Sequence, residues 1–274
     1  MKLTKFTAIL SAVVLSIGSA VSCGKKDNKS SSDTPAETVS ANSDSSASEE
    51  KHIDLSVSGD NYDADAYSET VKQRVEASAD SSEPLSLGSV GELITPSEDD
   101  DEAELGSYCI SDDGVKLYYE PDEFPTELVL TLKNYFQALA ACDYGKYAQC
   151  VYPSYIDEMN SYLSENFDYD LKTSFASQCS SLASRTSGDF IVTRVKIETA
   201  PQYKENVDNV KSYFDMLDES FGKDYYGEVK SEADNIYDAV FYIMAEDYSG
   251  EETLLISEYE IVFAEKDGKY YLFG

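Results

Sequence analysis

The feature that most constrains the fold is a change in the spacing of apolar residues near Gly188. Before it, apolar side chains recur every three or four positions, as at Leu132, Phe136 and Leu139, which is the period of an amphipathic helix. After it, apolar and polar residues alternate, as over 191–197, which is the period of a half-buried strand. Helices followed by long strands predict an α+β domain in which N-terminal helices pack against a curved, mainly antiparallel sheet.

The same patterns place the individual elements. Helices are predicted over 125–141, 144–151, 153–166, 171–186 and about 205–221. Strands are predicted over 191–197, 235–246, 253–265 and 270–273, together with a short hairpin over 108–119. On the first long strand, we expect Ile191, Val195 and Ile197 to face the core and Val192 to face water.

The N-terminal third has a different composition from the rest of the chain. The 274 residues include 53 acidic and 21 basic ones, for a net charge of −32. Residues 23–106 are rich in Ser, Asp and Glu and carry few aromatic side chains apart from Tyr62 and Tyr67. Such a segment buries too little apolar surface to offset the entropy of ordering it. We therefore expect a disordered acidic tether over 23–106, with at most a transient helix at 67–77, followed by a cone domain over 107–274.

The first residues have the features of an export signal. Lys2 and Lys5 precede an apolar run from Phe6 to Ile17 that contains no charge. This run is too short to cross a bilayer comfortably, so a secretory signal is favoured over a membrane-spanning helix. The chain is therefore predicted to be exported.

Small residues lead from this run to Cys23, and the arrangement resembles the lipobox of bacterial lipoproteins, whose cysteine carries diacylglycerol. Residues 1–22 are predicted to be a lipoprotein signal peptide. Two acyl chains on Cys23 would anchor the mature protein stably at the outer face of the bacterial cell membrane. The alternative is an ordinary secretory signal, cleaved after Ala20 or Ser22.

Charge and histidine content exclude several kinds of function. A net charge of −32 repels the phosphates of nucleic acids, so we expect no nucleic-acid partner. The only histidine, His52, lies in the acidic segment, so histidine-ligated metals and histidine-dependent catalysis are not expected. The acidic runs also lack the alternating ligands and central glycine of an EF-hand loop. We therefore predict no cofactor and no metal.

Several motifs of the C-terminal part are similar to those of a known superfamily. They are Leu132-Lys133-Asn134-Tyr135-Phe136-Gln137-Ala138-Leu139, Ala141-Cys142-Asp143-Tyr144, Gly145-Lys146-Tyr147-Ala148 and Lys266-Asp267-Gly268-Lys269-Tyr270-Tyr271-Leu272. Together with the order of the elements, they resemble the nuclear transport factor 2-like superfamily over residues 125–274. The resemblance implies a cystatin-like cone, a shape shared by ketosteroid isomerases, polyketide cyclases and many bacterial lipoprotein domains. The helix at 205–221 and the hairpin at 108–119 depart from the pattern of that superfamily.

Enzymes of that superfamily work inside the cone, so the resemblance implies a pocket between the first helix and the inward strand faces. Its candidate lining residues are Tyr135, Phe136, Phe241 and Tyr259. Because neither a histidine nor an identified acid accompanies them, proton transfer has no obvious base, and no catalytic residue is predicted.

Two function classes follow from these observations. The first is a non-enzymatic surface lipoprotein that serves as a binding or accessory module for a peptide, for a cell-envelope protein or glycan, or for a small apolar ligand. The second is an isomerase- or cyclase-type enzyme that uses a pocket tyrosine and an unidentified acid. An ionisable group deep in the cone would favour the enzyme, whereas a pocket lined only by apolar groups and hydroxyls would favour binding.

The cysteines and tyrosines each leave two alternatives open. Cys109, Cys142, Cys150 and Cys179 allow three pairings, of which we consider Cys142 with Cys150 because they end adjacent short helices. The other alternative is that the thiols are free.

The many tyrosines either form a contact surface or fill the core, since the chain has no tryptophan. The candidates for that surface are Tyr118, Tyr119, Tyr144, Tyr147, Tyr152, Tyr155, Tyr225, Tyr226 and Tyr248.

Overall fold

The computed structural model describes residues 58–81, 83–97, 99, 102–201 and 208–274. Within them, the α-helices are α1 (Ala64–Ser78), α2 (Thr126–Ala141), α3 (Tyr144–Cys150), α4 (Pro153–Phe167), α5 (Leu171–Ala183), α6 (Asn209–Phe221) and α7 (Tyr225–Glu232). The strands are β1 (Tyr108–Ile110), β2 (Lys116–Tyr118), β3 (Ile191–Thr199), β4 (Asn235–Glu246), β5 (Glu252–Lys266) and β6 (Lys269–Leu272). The predicted α+β class is confirmed.

The strands form one curled, half-barrel sheet in which spatial order follows chain order, β1-β2-β3-β4-β5-β6. Every neighbouring pair is antiparallel except β2 and β3, which run parallel. A parallel pair needs a long crossover, and helices α2 to α5 supply it between β2 and β3. The sheet is thus mainly antiparallel, as predicted.

Bulges interrupt the ladders of the long strands. The pairing of β4 with β5 shifts register between Phe241 and Ile243, and Glu258 on the opposite strand has a positive φ of 52°. Another shift, between Val192 and Arg194 of β3, leaves Thr193 as the extra residue. Bulges bend a strand and increase its twist, which helps the sheet to curl around α2.

The main core lies between the inward face of the sheet and α2. Leu128 and Leu132 are fully buried on this helix, and the Phe136 ring lies 5.1 Å from that of Phe241 on β4. Close-packed contacts of this kind fix the helix on the sheet. They also bring α2, the helix predicted over 125–141, against the inward faces of the strands, as the sequence predicted.

The folded domain begins before Ser107, the boundary that the sequence predicted. The prediction of a disordered tether over 23–106 is therefore wrong for its second half. Helix α1 buries Tyr67, Val71 and Val75 in the common core. The helix also lies so close to α3 that a Cβ on Gly145 would sit 2.6 Å from the carbonyl oxygen of Ser78. Helix α1 is therefore part of the domain. The first part of the predicted tether, Cys23 and the signal peptide lie outside the described residues.

The tyrosine surplus fills the core and does not form a broad contact surface. Six of the nine candidate surface tyrosines are buried, namely Tyr118, Tyr119, Tyr147, Tyr152, Tyr155 and Tyr225. Tyr248 is the exposed one, with 37% of its surface accessible. The rings pack against one another and against phenylalanines, as where Tyr147 meets Phe175 at 4.5 Å. The tyrosine rings therefore supply part of the volume of the core, together with the leucine and phenylalanine side chains.

Candidate functional site

The four predicted pocket residues do come together, around a small space that we call the inner cavity. Tyr135 and Phe136 come from α2, and Phe241 and Tyr259 come from paired positions on β4 and β5. The ring of Phe241 lies 5.1 Å from Phe136 and 5.5 Å from Tyr259. The rest of the lining, which sequence reasoning missed, is Leu139, Gln178, Tyr213, Glu260, Ile261, Phe273 and Gly274.

The inner cavity is too small for the ligands that the superfamily resemblance implies. Its volume is about 50 Å³, which suits one or two water molecules. Ligand pockets usually enclose roughly 300 Å³ or more. The space under the curled sheet is therefore filled by the protein's own side chains.

Hydrogen bonds within the protein engage the tyrosine hydroxyls beside the inner cavity. Tyr135 donates to the main-chain oxygen of Gly274 at 2.6 Å, and Tyr213 donates to that of Phe273 at 3.2 Å. Burial raises the pKa of both phenols well above the usual range, and neighbouring tyrosines raise it further. These phenols therefore keep their protons and act as donors to the backbone.

Glu260 is the one acidic side chain among the residues that line the inner cavity. Partial burial, followed by the charge of Asp238, raises its pKa above the ordinary value. However, Glu260 is an exposed residue at the rim and does not lie deep inside the cone. It does not supply the buried acid that would have favoured an enzyme.

A much larger space opens on the outside of the domain, between α1 and α5. This α1–α5 groove has a volume of about 670 Å³. Most of its lining side chains are small, namely Ala64, Ser68, Val75, Thr173, Ala176, Ser177, Ser180, Ser181 and Ser184. Tyr62, Lys72, Glu76 and Lys172 complete the lining, and an ion pair of 2.8 Å joins Lys172 to Glu76. Sequence reasoning missed the groove because it did not place α1 in the fold.

Helix α1, which forms one wall of the groove, is held by a buried polar junction. The Arg74 guanidinium makes two hydrogen bonds to the Asp189 carboxylate, at 2.7 and 3.0 Å. The Tyr67 hydroxyl donates to the same carboxylate at 2.6 Å. Paired, charge-assisted bonds of this geometry are among the stronger polar contacts in proteins. The position of the wall therefore depends on Asp189, which lies between α5 and β3.

The chain just before α1 is held at the same place. Asp189 donates its main-chain N–H to the Ser58 hydroxyl at 3.1 Å, and Gly59 donates to the carbonyl oxygen of Ser187 at 2.7 Å. Gly188 has a φ of +125°, and a Cβ there would lie 2.7 Å from the Cα of Ser58. Glycine is thus required both for the backbone conformation and for this close approach.

The structure does not form the disulfide considered between Cys142 and Cys150. Both are free, buried thiols, as are Cys109 and Cys179. The neighbouring thiol of Cys179 on α5 lowers the pKa of the Cys142 thiol, burial opposes this, and the guanidinium of Arg74 lowers it further. Cys142 ends α2 in a left-handed conformation, with φ of 56°, and this local geometry was not visible in the cysteine spacing.

Within the described part of the chain, no three or more His, Cys, Asp or Glu side chains are placed to hold a metal ion. None of its helices combines the length and apolar character needed to cross a bilayer. Comparison with protein-family models, with curated proteins and with solved structures returned no match to this chain.

Proposed function

We propose that this protein is a non-enzymatic lipoprotein, anchored through Cys23 at the outer face of the bacterial cell membrane. The basic residues, the short apolar run and the small residues before Cys23 support the anchor. The helices that precede a curled sheet support the nuclear transport factor 2-like relationship. In this proposal the cone is a filled scaffold, and binding takes place on its outer surface.

The observation that carries the proposal is the contrast between the two spaces. The inner cavity holds about 50 Å³, whereas the α1–α5 groove holds about 670 Å³ and opens to solvent. An isomerase or cyclase would have to enclose its substrate and present a base to it, and the inner cavity supports neither. The same size argument disfavours a small apolar ligand inside the cone.

The chemistry of the groove suits an extended peptide of a cell-envelope protein. Its small side chains let another backbone approach closely, and the hydroxyls of Ser68, Ser180 and Ser181 are able to bond with peptide groups. Tyr62 adds a flat amphipathic surface at one side. Lys72 and Lys172 add polar groups at the rim, and each ammonium is already paired with a carboxylate of this chain, Glu69 and Glu76 respectively.

Site-specific photo-crosslinking in intact cells tests this proposal. A photoreactive residue at Ser177, which lies exposed in the groove, should form a crosslink to a cell-envelope protein. The matched control is the same residue at Ser161, an exposed serine on α4 that makes the same bond to the carbonyl four residues before it. Equal crosslinking at the two positions, or none at Ser177, would contradict the groove as the binding site.

Assays with a ketosteroid isomerase substrate address the alternative function. The enzyme hypothesis requires turnover that depends on Tyr135 or Tyr259 and on the rim acid Glu260. We expect no turnover above the uncatalysed rate, because these groups border a space of about 50 Å³. Turnover abolished by Glu260→Gln would favour the enzyme over the binding module.

A further inference from the structure

Part of the chain between α1 and β1 crosses the outside of the domain as an extended segment, residues 83–94, which we call the strap. Its main chain is hydrogen-bonded to the domain at every second residue of its first nine, namely Glu83, Leu85, Leu87, Ser89 and Gly91. This alternation is typical of a strand, whose successive residues direct their main-chain groups to opposite sides. The strap therefore lies on the domain as a peptide added to the edge of a sheet does.

Two side-chain amides take the place of a neighbouring strand along the first half of the strap. The Oε1 of Gln149 accepts from the main-chain N–H of Leu85 at 2.8 Å, and its Nε2 donates to the carbonyl oxygen of Glu83 at 3.0 Å. The Nδ2 of Asn134, a buried residue of α2, donates to the carbonyl oxygen of Leu87 at 3.2 Å. An amide side chain has both a donor and an acceptor, so it pairs with main chain as another peptide group would. These bonds recognise an extended backbone and not particular side chains.

The second half of the strap is held by the turn after β1 and by β1 itself. The carboxylate of Asp112 accepts from the main-chain N–H of Ser89, and the N–H of Asp112 donates to the carbonyl oxygen of Ser89, both at 3.0 Å. Gly91 donates to the carbonyl oxygen of Ile110 at 2.8 Å. Gly88 has a φ of +79°, and a Cβ there would lie 2.7 Å from a carboxylate oxygen of Asp112. This position of the strap therefore requires glycine.

The strap buries little apolar surface. Its side chains Leu85, Leu87 and Val90 are half-buried against the core, and its other residues are exposed. Local opening costs least where few apolar contacts support solvent-exposed hydrogen bonds. The strap is therefore able to leave its surface while the core beneath it stays folded.

We propose that the surface under the strap, formed by Gln149, Asn134, Asp112 and the edge of β1, is a peptide-binding site, and that the strap is its built-in occupant. A partner protein would bind by placing an extended segment where the strap lies, with two apolar side chains two positions apart and a glycine directly after the second. In strand addition of this kind, main-chain bonds supply affinity and alternate side chains supply specificity. The site is separate from the α1–α5 groove and from the anchor, so it does not depend on the proposed function.

The strap regulates this site by competition. Because it belongs to the same chain, its effective concentration at the surface is of the order of millimolar. A separate segment binds only those molecules whose strap is undocked, so its apparent dissociation constant is the intrinsic one divided by that fraction. Weakening the strap should therefore strengthen the binding of a separate peptide, although no residue of the surface has changed.

The test measures, by fluorescence anisotropy, how a labelled synthetic peptide with the sequence of residues 83–94 binds to the purified full chain. The protein carries Leu85→Ala and Leu87→Ala, which weaken its own strap, and wild type is the comparison. We expect the double variant to bind the peptide about tenfold more tightly than wild type does. Adding Gln149→Ala to the double variant should weaken binding about tenfold, because two hydrogen bonds to the peptide are lost.

Two methylated peptides provide the matched control. A methyl group on the nitrogen of Leu85 removes the N–H that Gln149 binds and should abolish binding. A methyl group on the nitrogen of Ser86, which points away from the surface in an extended strand, should leave binding nearly unchanged. Equal losses from the two methyl groups, or binding that Gln149→Ala leaves unaffected, would overturn the proposal.

A second strap variant covers the case in which the double variant does not fold. Gly88→Ala weakens the strap at its contact with Asp112, outside the core, and should also strengthen peptide binding. No binding of the peptide to either folded variant at about 1 mM would overturn the proposal, because the strap itself would win at that concentration. Failure of both variants to fold would overturn it too, since the strap would then be an essential part of the core. Crosslinking at Ser177 tests the groove separately, so none of these outcomes decides the proposed function.

Discussion

At the scale of single residues, the buried tyrosines differ in whether their hydroxyls find an acceptor. The Tyr135 hydroxyl lies 2.6 Å from the main-chain oxygen of Gly274 and donates to it. The Tyr147 hydroxyl, by contrast, is fully buried and has no hydrogen-bond partner among the described residues. An unpaired buried hydroxyl is costly, whereas a paired one contributes modestly. Two phenols on neighbouring helices therefore have opposite effects on stability.

Removing each hydroxyl should reveal this difference. We expect Tyr135→Phe to lower the free energy of unfolding by about 1 kcal/mol, because Gly274 loses its donor. Tyr147→Phe should raise the free energy of unfolding by about 1 kcal/mol, because it removes a buried polar atom that has no partner. Urea unfolding of the two variants and the wild type measures both changes. A destabilised Tyr147→Phe protein would show that its hydroxyl has an acceptor after all.

The sequence was sufficient to predict that four residues lie close together, namely Tyr135, Phe136, Phe241 and Tyr259. It was not sufficient to predict the volume of the space between them. Periodicity indicates which face of an element a residue occupies, whereas cavity volume depends on how all the neighbouring side chains pack.

The alternation of apolar and polar residues also gives a wrong prediction where a strand contains a bulge. Because Thr193 is an extra residue, Val192 is buried at 2% exposure and Ile191 is only partly buried, the reverse of the predicted assignment.

At the scale of elements, α1 shows how a short polar helix becomes part of a core. Its apolar residues Tyr67, Val71 and Val75 recur every four positions, but its surroundings in the chain are acidic. Isolated helices of this length are only marginally stable in water, so tertiary contacts must hold it. The bonds from Arg74 and Tyr67 to Asp189 supply such contacts.

The Arg74–Asp189 pair should therefore matter far more than other charges on α1. We expect Arg74→Met to lower the free energy of unfolding by about 3 kcal/mol, because Asp189 would remain buried without its cation. Lys72→Met is the control on the same helix, since Lys72 pairs with Glu69 at the surface, and its effect should stay below about 0.5 kcal/mol. Thermal unfolding of both variants measures the difference. Equal effects would mean that Asp189 does not hold α1 in place.

The helices and strands predicted from the sequence agree with the structure where the periodic pattern of apolar residues is strong. Strand β4 has the predicted bounds, and α2 and the hairpin of β1 and β2 lie where expected. Helix α7 was missed, because eight residues with only Tyr225 and Val229 buried give a weak stripe. Helix α1 was assigned to the tether because its stabilising partner, Asp189, lies 115 residues away from Arg74. Contacts between such distant residues leave no periodic signal.

At the scale of the whole molecule, the dominant feature is an excess of negative charge. With 53 acidic residues against 21 basic ones, most carboxylates have no cation to pair with. Strong net charge keeps molecules apart and favours solubility, although it also opposes compaction through self-repulsion. A lipid anchor at Cys23 would hold such a molecule at the membrane without help from attraction to anionic headgroups.

Replacing Cys23 tests the anchor directly. Wild-type protein should be found in the membrane fraction and should require detergent for release, because two acyl chains bind a bilayer stably. Cys23→Ala should accumulate as unprocessed precursor or be released into the medium. Cys150→Ser serves as the matched control, since it removes a buried thiol and leaves the lipobox intact. Full membrane association of a processed Cys23→Ala protein would contradict lipid anchoring.

The bonds around Ser58 have a mechanical consequence for a chain anchored at Cys23. Among the described residues, the contacts nearest to the anchor are those of Ser58 and Gly59 with Asp189 and Ser187, so they are the first of these to bear tension from the membrane. The next element in line is α1, which is held by the same segment of chain and forms one wall of the α1–α5 groove. The hydrogen-bonded ladder of β4 and β5 lies far along the chain from this point of attachment. A pull strong enough to detach α1 would therefore dismantle the groove while the sheet stayed whole, so that tension at the anchor would release whatever the groove held.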